Sequence, residues 1–371
     1  VTARDHFAID FDLKQLEARI RQFRDPRFDD LFIKEAYTLK DTTTFKISKF
    51  RKELAVEKNW AEWFQEITFR PFDNRFVYYS KWVIERPITE LMQHMLKSNI
   101  GIIVPRQFKE KSGAFVTENV IGHKTVSAYD INSLFPLYLY KPTEQKRKTQ
   151  TMMLFEPEES YGKDGRKPNI SKEVLEKLEK AYKKKFMPSP LPPSPGRGVS
   201  TGRGEGFTPE NILHYCYAIL YSNTYREKYA EFLKIDFPRI PFTSDFKLFL
   251  QLAELGEQLT ELHLLKSKAL NKPIAKYKGK GDDRIEKPKF DEERQMVFIN
   301  EKNYFEGVSP EVWNYHIGGY QVMEKYLKDR KGRLMEDPGH YCKMATAISE
   351  TISEQKKIDK LFVDVEKKII D

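Results

Sequence analysis

The stretch "ILYSNTYREKYAEFLKIDFPRIPF", residues 219–242, begins as a helix and ends as something that cannot be one. Tyr225 and Tyr229 stand four apart and so share a helical face, which the spacing assigns to packing. Arg226 and Lys228 lie off that face, where Arg226 looks outward and either side chain can reach a phosphate. Pro238 and Pro241 then bracket Arg239. Each proline fixes φ near −65° and removes a backbone donor, so the second half is a stiff, extended strap. Such pre-set backbone lowers the entropy cost of holding Arg239 against a partner. Two partners fit equally, DNA and an acidic residue of the same chain.

Upstream of this stretch, residues 10–24 place Leu13, Leu16, Ile20 and Phe23 on one face of an amphipathic helix. A second helical segment is expected from about Asp41 to Phe64. From Ile67 the texture changes: "ITFRPFDNRFVYYSKWVI", "NIGIIVPRQF", "GAFVTENVIGHKTV" and "SLFPLYLYK" are rich in Phe, Tyr, Val and Ile, as strands are. "FDNR" reads as the turn of the first pair. Pro105 and Pro136 mark strand ends, because proline cannot donate to a central ladder. Residues 187–206 are dominated by Pro and Gly and cannot form a core, which predicts a disordered insertion.

Helices resume at Thr208-Pro209, and Ser309-Pro310 repeats the same start signal of a capping hydroxyl followed by proline. Downstream of the strap, Leu248, Leu252, Leu255, Leu259 and Leu262 alternate by four and three as a coiled-coil-like seam. A lysine-rich loop is expected over 267–289, a strand near "RQMVFIN", a helix over "PEVWNYHIGGYQVMEKYLKDRKG" broken or kinked at Gly318-Gly319, and a charged terminal helix after Pro338. The fold class is α+β. The expected organisation is a helical connector over 1–64, a β-rich body with packed helices over 65–336, and the terminal helix over 337–371.

With 371 residues, 40% hydrophobic and 13% aromatic, the chain can bury a sizeable core. Its 64 Lys and Arg against 55 Asp and Glu leave a net charge of +9, which suits an anionic partner, nucleic acid first. Cys216 and Cys342 lie far apart and read as buried free thiols of a reducing cytoplasm. The seven histidines are scattered, so no metal site is expected. No apolar run approaches the roughly 18 to 20 residues that span a membrane. The chain opens on Val1, which hints at excision from a longer polypeptide. No phosphate-cradling Gly-rich loop, nucleophile elbow, H-E-x-x-H or C-x-x-C motif is present, nor an Asn-Pro-Pro-Tyr type tetrad to grip an adenine amine. A complete active site is therefore not expected within these residues.

Four segments in this order, "FRPFDNRFVYY" (69–79), "FPLYLY" (135–140), "TYREKYAEFLKIDFPRIPF" (224–242) and "NYFEGVSPEVWNYHIGGYQVMEKYLKDRKGR" (303–333), resemble the C-terminal specificity domain of type ISP restriction-modification enzymes, close to the type IIG family. The resemblance covers roughly residues 60–336, and the Pro/Gly-rich insertion departs from it. It implies a target-recognition domain that binds double-stranded DNA so that an adenine can be flipped into a methyltransferase pocket elsewhere. It also implies a parent enzyme carrying an N6-adenine methyltransferase, a helicase-like ATPase and a nuclease, hence S-adenosylmethionine, ATP and Mg outside this chain. Two rival readings are residual adenine methyltransferase activity and a protein-docking module.

Arginine suits guanine O6/N7 and glutamine suits adenine N6/N7, each pair worth about 1–3 kcal/mol of discrimination. Arg106 and Gln107 are therefore the candidate base readers, provided that Pro105 ends a strand and a loop presents both. Lys109 and Lys111 follow them as phosphate contacts. Arg226, Lys228 and Arg239 come from the opening stretch, and Lys276 and Lys278 from the lysine-rich loop. Arg70 and Arg75 are expected to brace a turn by pairing with Asp73. Tyr78, Tyr79, Tyr138 and Tyr140 are expected in the core or on a sheet surface.

Overall fold

Two hydrophobic cores organise the chain, and the helix that the strap follows lies in the second. The computed structural model describes residues 2–108, 113–127, 131–141, 161–162, 164–188 and 206–370. Most of the Pro/Gly-rich insertion, and with it the expectation of disorder there, lies outside the described residues. Its flanks meet as a short parallel pair, Lys185–Phe186 with Gly206–Phe207.

The first core is built on a four-stranded sheet whose order is Ile9–Asp10, Asp73–Tyr78, Phe64–Arg70, Val120–Ile121. The last pair is parallel and the others are antiparallel. The helix Leu13–Arg24 lays Leu16, Ile20 and Phe23 against it, while Leu13 stays 38% exposed. The helix expected over 41–64 shrinks to Ile47–Val56 plus a 3-10 turn at Trp60–Trp63. The residues before it are taken by a side-chain-closed turn. Asp41 accepts from the Ile47 N–H at 2.8 Å, and the Thr42 hydroxyl accepts from the Phe45 N–H at 3.0 Å. Such local bonds compete with the helical ladder. The turn expected at "FDNR" sits slightly earlier, at Pro71 and Phe72, with Phe72 at φ +60°, and Asp73 already belongs to the strand.

A second sheet, ordered Lys276–Lys278, Tyr304–Glu306, Met296–Phe298, Lys289–Asp291, closes the same core and is antiparallel throughout. The lysine-rich segment is thus more than a loop. It holds a 3-10 turn, an edge strand and the start of another strand. The helix expected over 310–332 is instead a four-residue helix Pro310–Trp313, a hairpin of His316–Ile317 with Tyr320–Gln321, and a helix Val322–Lys328. Gly318 at φ +60° makes the hairpin turn, a conformation costly for any side chain with a Cβ.

The second core sets the three-stranded sheet Phe115–Thr117, Gly101–Pro105, Asn132–Pro136 against helices Pro209–Tyr221 and Phe246–His263. Pro105 and Pro136 each end a strand, as expected. Thr208 caps its helix in a reciprocal capping box with Asn211, which satisfies two orphan donors at once. The leucine seam packs with Leu248, Leu252, Leu259 and Leu262 buried and Leu255 at its margin. The helices meet where Gly256 faces the backbone of His214 so closely that a Cβ would lie 1.8 Å from its carbonyl oxygen. The helix Pro338–Val365 runs through both cores: Tyr341, Met344 and Ile348 belong to the first, Ile358, Phe362 and Val365 to the second. No helix among the described residues is long and apolar enough to cross a membrane.

Candidate nucleic-acid interface

The helix expected over the opening stretch does not run through. It ends at Tyr221, and Ser222 caps a new helix, Asn223–Lys228, by accepting from the Tyr225 N–H. A further turn, Ala230–Leu233, leads into the strap. The strap is held by the helices before it. The Tyr225 hydroxyl donates to the Arg239 carbonyl at 2.8 Å and the Tyr215 hydroxyl to the Pro241 carbonyl at 2.7 Å. The Thr243 N–H returns a bond to the Tyr215 oxygen. The C-terminal residues fasten the other end, with the Ile370 N–H donating to Phe242 and the Ser244 N–H to Lys368. Tyr225 and Tyr229 do share a face, with ring centroids 5.3 Å apart.

This anchored segment gathers three of the expected residues. The strand Gly101–Pro105 ends where expected, and the loop after it lies against the start of the strap. The Phe108 N–H donates to the Leu233 carbonyl at 2.7 Å and the Gln107 amide to the Ile235 carbonyl at 3.0 Å. Arg106 Nε donates to Asp236 at 2.9 Å, and both side chains stay more than half exposed. The Arg106 hydrogen bond is the main cause that holds the Asp236 carboxyl below its usual range, seconded by the Phe237 N–H and the nearby charge of Arg239. Arg239 itself is exposed, and among the described residues no carboxylate lies within ion-pair reach of it. Of its two expected partners, the acidic neighbour is thus present only at long range. Lys109 and Lys111 lie outside the described residues.

Around this cluster the surface is apolar. Phe135 is 45% exposed, Phe232 72%, Ile235 67% and Phe237 38%. Phe135 and Phe237 meet edge to face at 5.7 Å, roofing a groove over Ile102, Leu213 and Cys216. Cys216 is a largely buried free thiol at the groove wall, where burial pushes its pKa up to about 12, and Cys342 is buried as expected. Asp236 and these apolar residues were missed by the sequence reading, although "KIDFPRIPF" printed the signal: alternating apolar residues in a strap too short to bury them all.

The other candidates lie apart. Arg226 does not look outward. Because the helix restarts at Ser222, its side chain folds back, with Nε donating to the Leu220 carbonyl at 2.7 Å and the guanidinium 4.9 Å from the Tyr221 ring. Lys228 is exposed but paired with Glu366 at 2.6 Å, and that bond raises its pKa. Lys276 and Lys278 are exposed on the edge strand of the second sheet, in the other core, with Lys278 3.8 Å from Glu306.

The brace at "FRPFD" is half as expected. Arg75 pairs with Asp73 at 2.7 Å, but the second partner of Asp73 is Arg330, also at 2.7 Å. Arg70 turns away and donates to the Phe69 and Lys124 carbonyls. Tyr78, Tyr79, Tyr138 and Tyr140 are all buried. Among the described residues no group of three or more His, Cys, Asp or Glu side chains is placed to hold a metal ion.

Comparison with known proteins gives this arrangement its context. The family model described as the Type ISP C-terminal specificity domain matches residues 1–358. Among solved structures, the chain is similar to the ATP-dependent Type ISP restriction-modification enzyme LlaBIII bound to DNA, with 18% identity, a TM-score of 0.64, and coverage of 97% of this chain and 23% of that one. It is similar to the DrdV–DNA complex at 19% identity and TM-score 0.65, covering 97% of this chain and 35% of that one. A nuclease-deletion mutant of the Type ISP enzyme LlaGI with a DNA substrate mimic follows at 15% identity and TM-score 0.62, covering 96% and 27%. The chain thus spans about a quarter to a third of these proteins, and at such identities the likeness is one of fold. No curated protein matches it.

Proposed function

The chain belongs to the Type ISP C-terminal specificity domain family, and from that premise we propose that it recognises a short target in double-stranded DNA. The observation that carries this reading is the family match over residues 1–358, almost the whole chain. The DNA-bound state of the LlaBIII and DrdV structures that share its fold supports it. The surface where Arg106, Gln107 and Arg239 converge suits base reading. Arg106 and Gln107 are presented by a loop whose backbone is pinned, and pre-organised side chains lose less entropy on binding. The Arg106–Asp236 pair is exposed, so water already weakens it and a guanine edge can replace the carboxylate as acceptor. Lys109 and Lys111, which follow Arg106 and Gln107 in the sequence, would supply phosphate attraction, which carries affinity but no sequence information.

In this proposal the domain positions a target adenine for an N6-adenine methyltransferase that lies outside these residues, in an architecture close to type IIG enzymes. S-adenosylmethionine, ATP and Mg would serve those other parts, in the cytoplasm where the DNA is.

The test is fluorescence anisotropy of the chain with a pool of random duplexes across a salt series, followed by sequencing of the retained DNA. An enriched short motif, together with an affinity that falls steeply with salt, is the expected result. Binding that falls with salt but enriches nothing would reduce the role to a non-specific clamp. Absence of binding at low salt would overturn the reading.

A further inference from the structure

The outer face of the second sheet, apart from the strap cluster, carries a second feature. Successive side chains of a strand alternate between faces, and the inward set here is Tyr277, Phe305, Val297 and Phe290, all in or against the first core. The outward set falls into two rows read straight from the register. One row is Lys276, Glu306, Met296, Asp291; the other is Lys278, Tyr304, Phe298, Lys289. In the second row two aromatic rings are neighbours, with centroids 5.3 Å apart and planes inclined by 43°, flanked by an exposed lysine on either side. Phe298 and Tyr304 are partly exposed and pack against neither core. The sheet's acids on this face, Glu306 and Asp291, stand in the other row, where Glu306 lies 3.8 Å from Lys278 and Asp291 3.8 Å from Arg294.

We propose that this row, Lys278–Tyr304–Phe298–Lys289, is a stacking platform for an unpaired DNA strand. Four strands spaced about 4.8 Å apart put the two lysines roughly 14 Å from each other across the rings. A strand laid along the row sets neighbouring bases over Tyr304 and Phe298 and its phosphates near the lysines. The rings decide the class of partner. A duplex hides its base faces in the stack and offers only edges in its grooves, whereas an unpaired strand offers whole π-faces, as sheets with paired surface aromatics exploit. The lysines decide the charge, since they leave the row cationic with no acid inside it. This inference does not rest on duplex recognition by the strap cluster, which lies on the other core.

The experiment measures anisotropy of a labelled oligothymidine, which cannot pair with itself, on the full chain at low salt. Phe298→Leu and Tyr304→Leu keep an apolar side chain on the sheet and remove the flat ring. Each is expected to weaken binding by about fivefold to a hundredfold with the thermal midpoint unchanged. Lys278→Gln and Lys289→Gln are expected to flatten the salt dependence. No binding of the oligothymidine, or equal binding by the leucine variants, overturns the proposal. So does an equal loss on random duplex, which would make the face a duplex contact. Retained duplex selection with lost single-strand binding separates this platform from the strap cluster, so either reading can fail alone.

Discussion

Asp73 keeps its charge although it is only 2% exposed, because Arg75 and Arg330 each place a guanidinium nitrogen 2.7 Å from it. Burial by itself raises the pKa of a carboxyl, but the charges of Arg330 and Arg75 outweigh it and hold this one below its usual range. Asp73→Asn leaves Arg330, 13% exposed, without its counter-ion and Arg75, 10% exposed, with only the longer contact to Asp329 at 3.5 Å. Unfolding in urea is expected to show a loss of about 3–5 kcal/mol, and a change under 1 kcal/mol would refute the bracing role. Arg106 is the opposite case: exposed, singly paired and therefore free to be exchanged. Arg106→Ala is expected to relax preference at one base of the selected target by about tenfold while stability holds. An unchanged motif from the variant would move base reading elsewhere on the surface.

The pairing of helices Pro209–Tyr221 and Phe246–His263 depends on one missing side chain. Backbone as close as that between Gly256 and His214 admits no Cβ, and the atom it would strike is a carbonyl oxygen that cannot swing aside. Gly256→Ala must push the helices apart, at a cost of about 3 kcal/mol in chemical denaturation. A variant as stable as the parent would mean that the helices can slide freely. The strap is a second dependent element. Tyr215→Phe removes the hydroxyl that donates to Pro241 and accepts from Thr243, and Tyr225→Phe removes the bond to Arg239. Each is expected to cost about 1 kcal/mol and to raise amide exchange between residues 239 and 244. Exchange rates that stay fixed would show that the prolines alone hold the strap.

The two cores are joined at His263. Its Nδ1 lies 2.6 Å from the Tyr217 hydroxyl and its Nε2 2.9 Å from Thr351. Phe72 and Phe115 of the first core face its ring, as do Tyr217 and Tyr221 of the second. Burial, reinforced by the charge of Arg226, lowers its pKa to about 3, and burial lowers that of His214 to about 4. The unfolded chain takes up these protons near 6.5, the folded chain only near 3 to 4. Their contribution is therefore intact above about pH 6.5 and is lost as pH falls below it, by about 1.4 kcal/mol per unit for each histidine. Carboxyls with depressed pKa lose theirs only below about pH 4, so the decline between pH 7 and 5 belongs to the histidines. Unfolding free energies from urea titrations at pH 7.5 and 5.5 are expected to differ by about 2–3 kcal/mol, and equal values would contradict it.

Local chemistry was enough to determine several things from the sequence. The prolines at 105, 136, 238 and 241 end strands or stiffen the strap wherever they fall, because the constraint lies in their own ring. Thr208 and Ser309 cap the helices they precede, the leucine spacing buries most of its seam, and the resemblance read from four segments agrees with the family matched over residues 1–358. What tertiary structure decided is whatever depends on a partner distant in sequence. Ser222 breaks the opening helix and its side chain is held by Asp359 at 2.7 Å, so Arg226 turns inward where its spacing pointed out. Arg330 reaches Asp73 across the chain, a pairing no local pattern encodes. The lysines at 276 and 278 become one edge of a sheet face only because Tyr304–Glu306 pairs beside them. Proline geometry and capping act over a few residues and can be read in order; the alignment of faces and charges depends on how the two cores close.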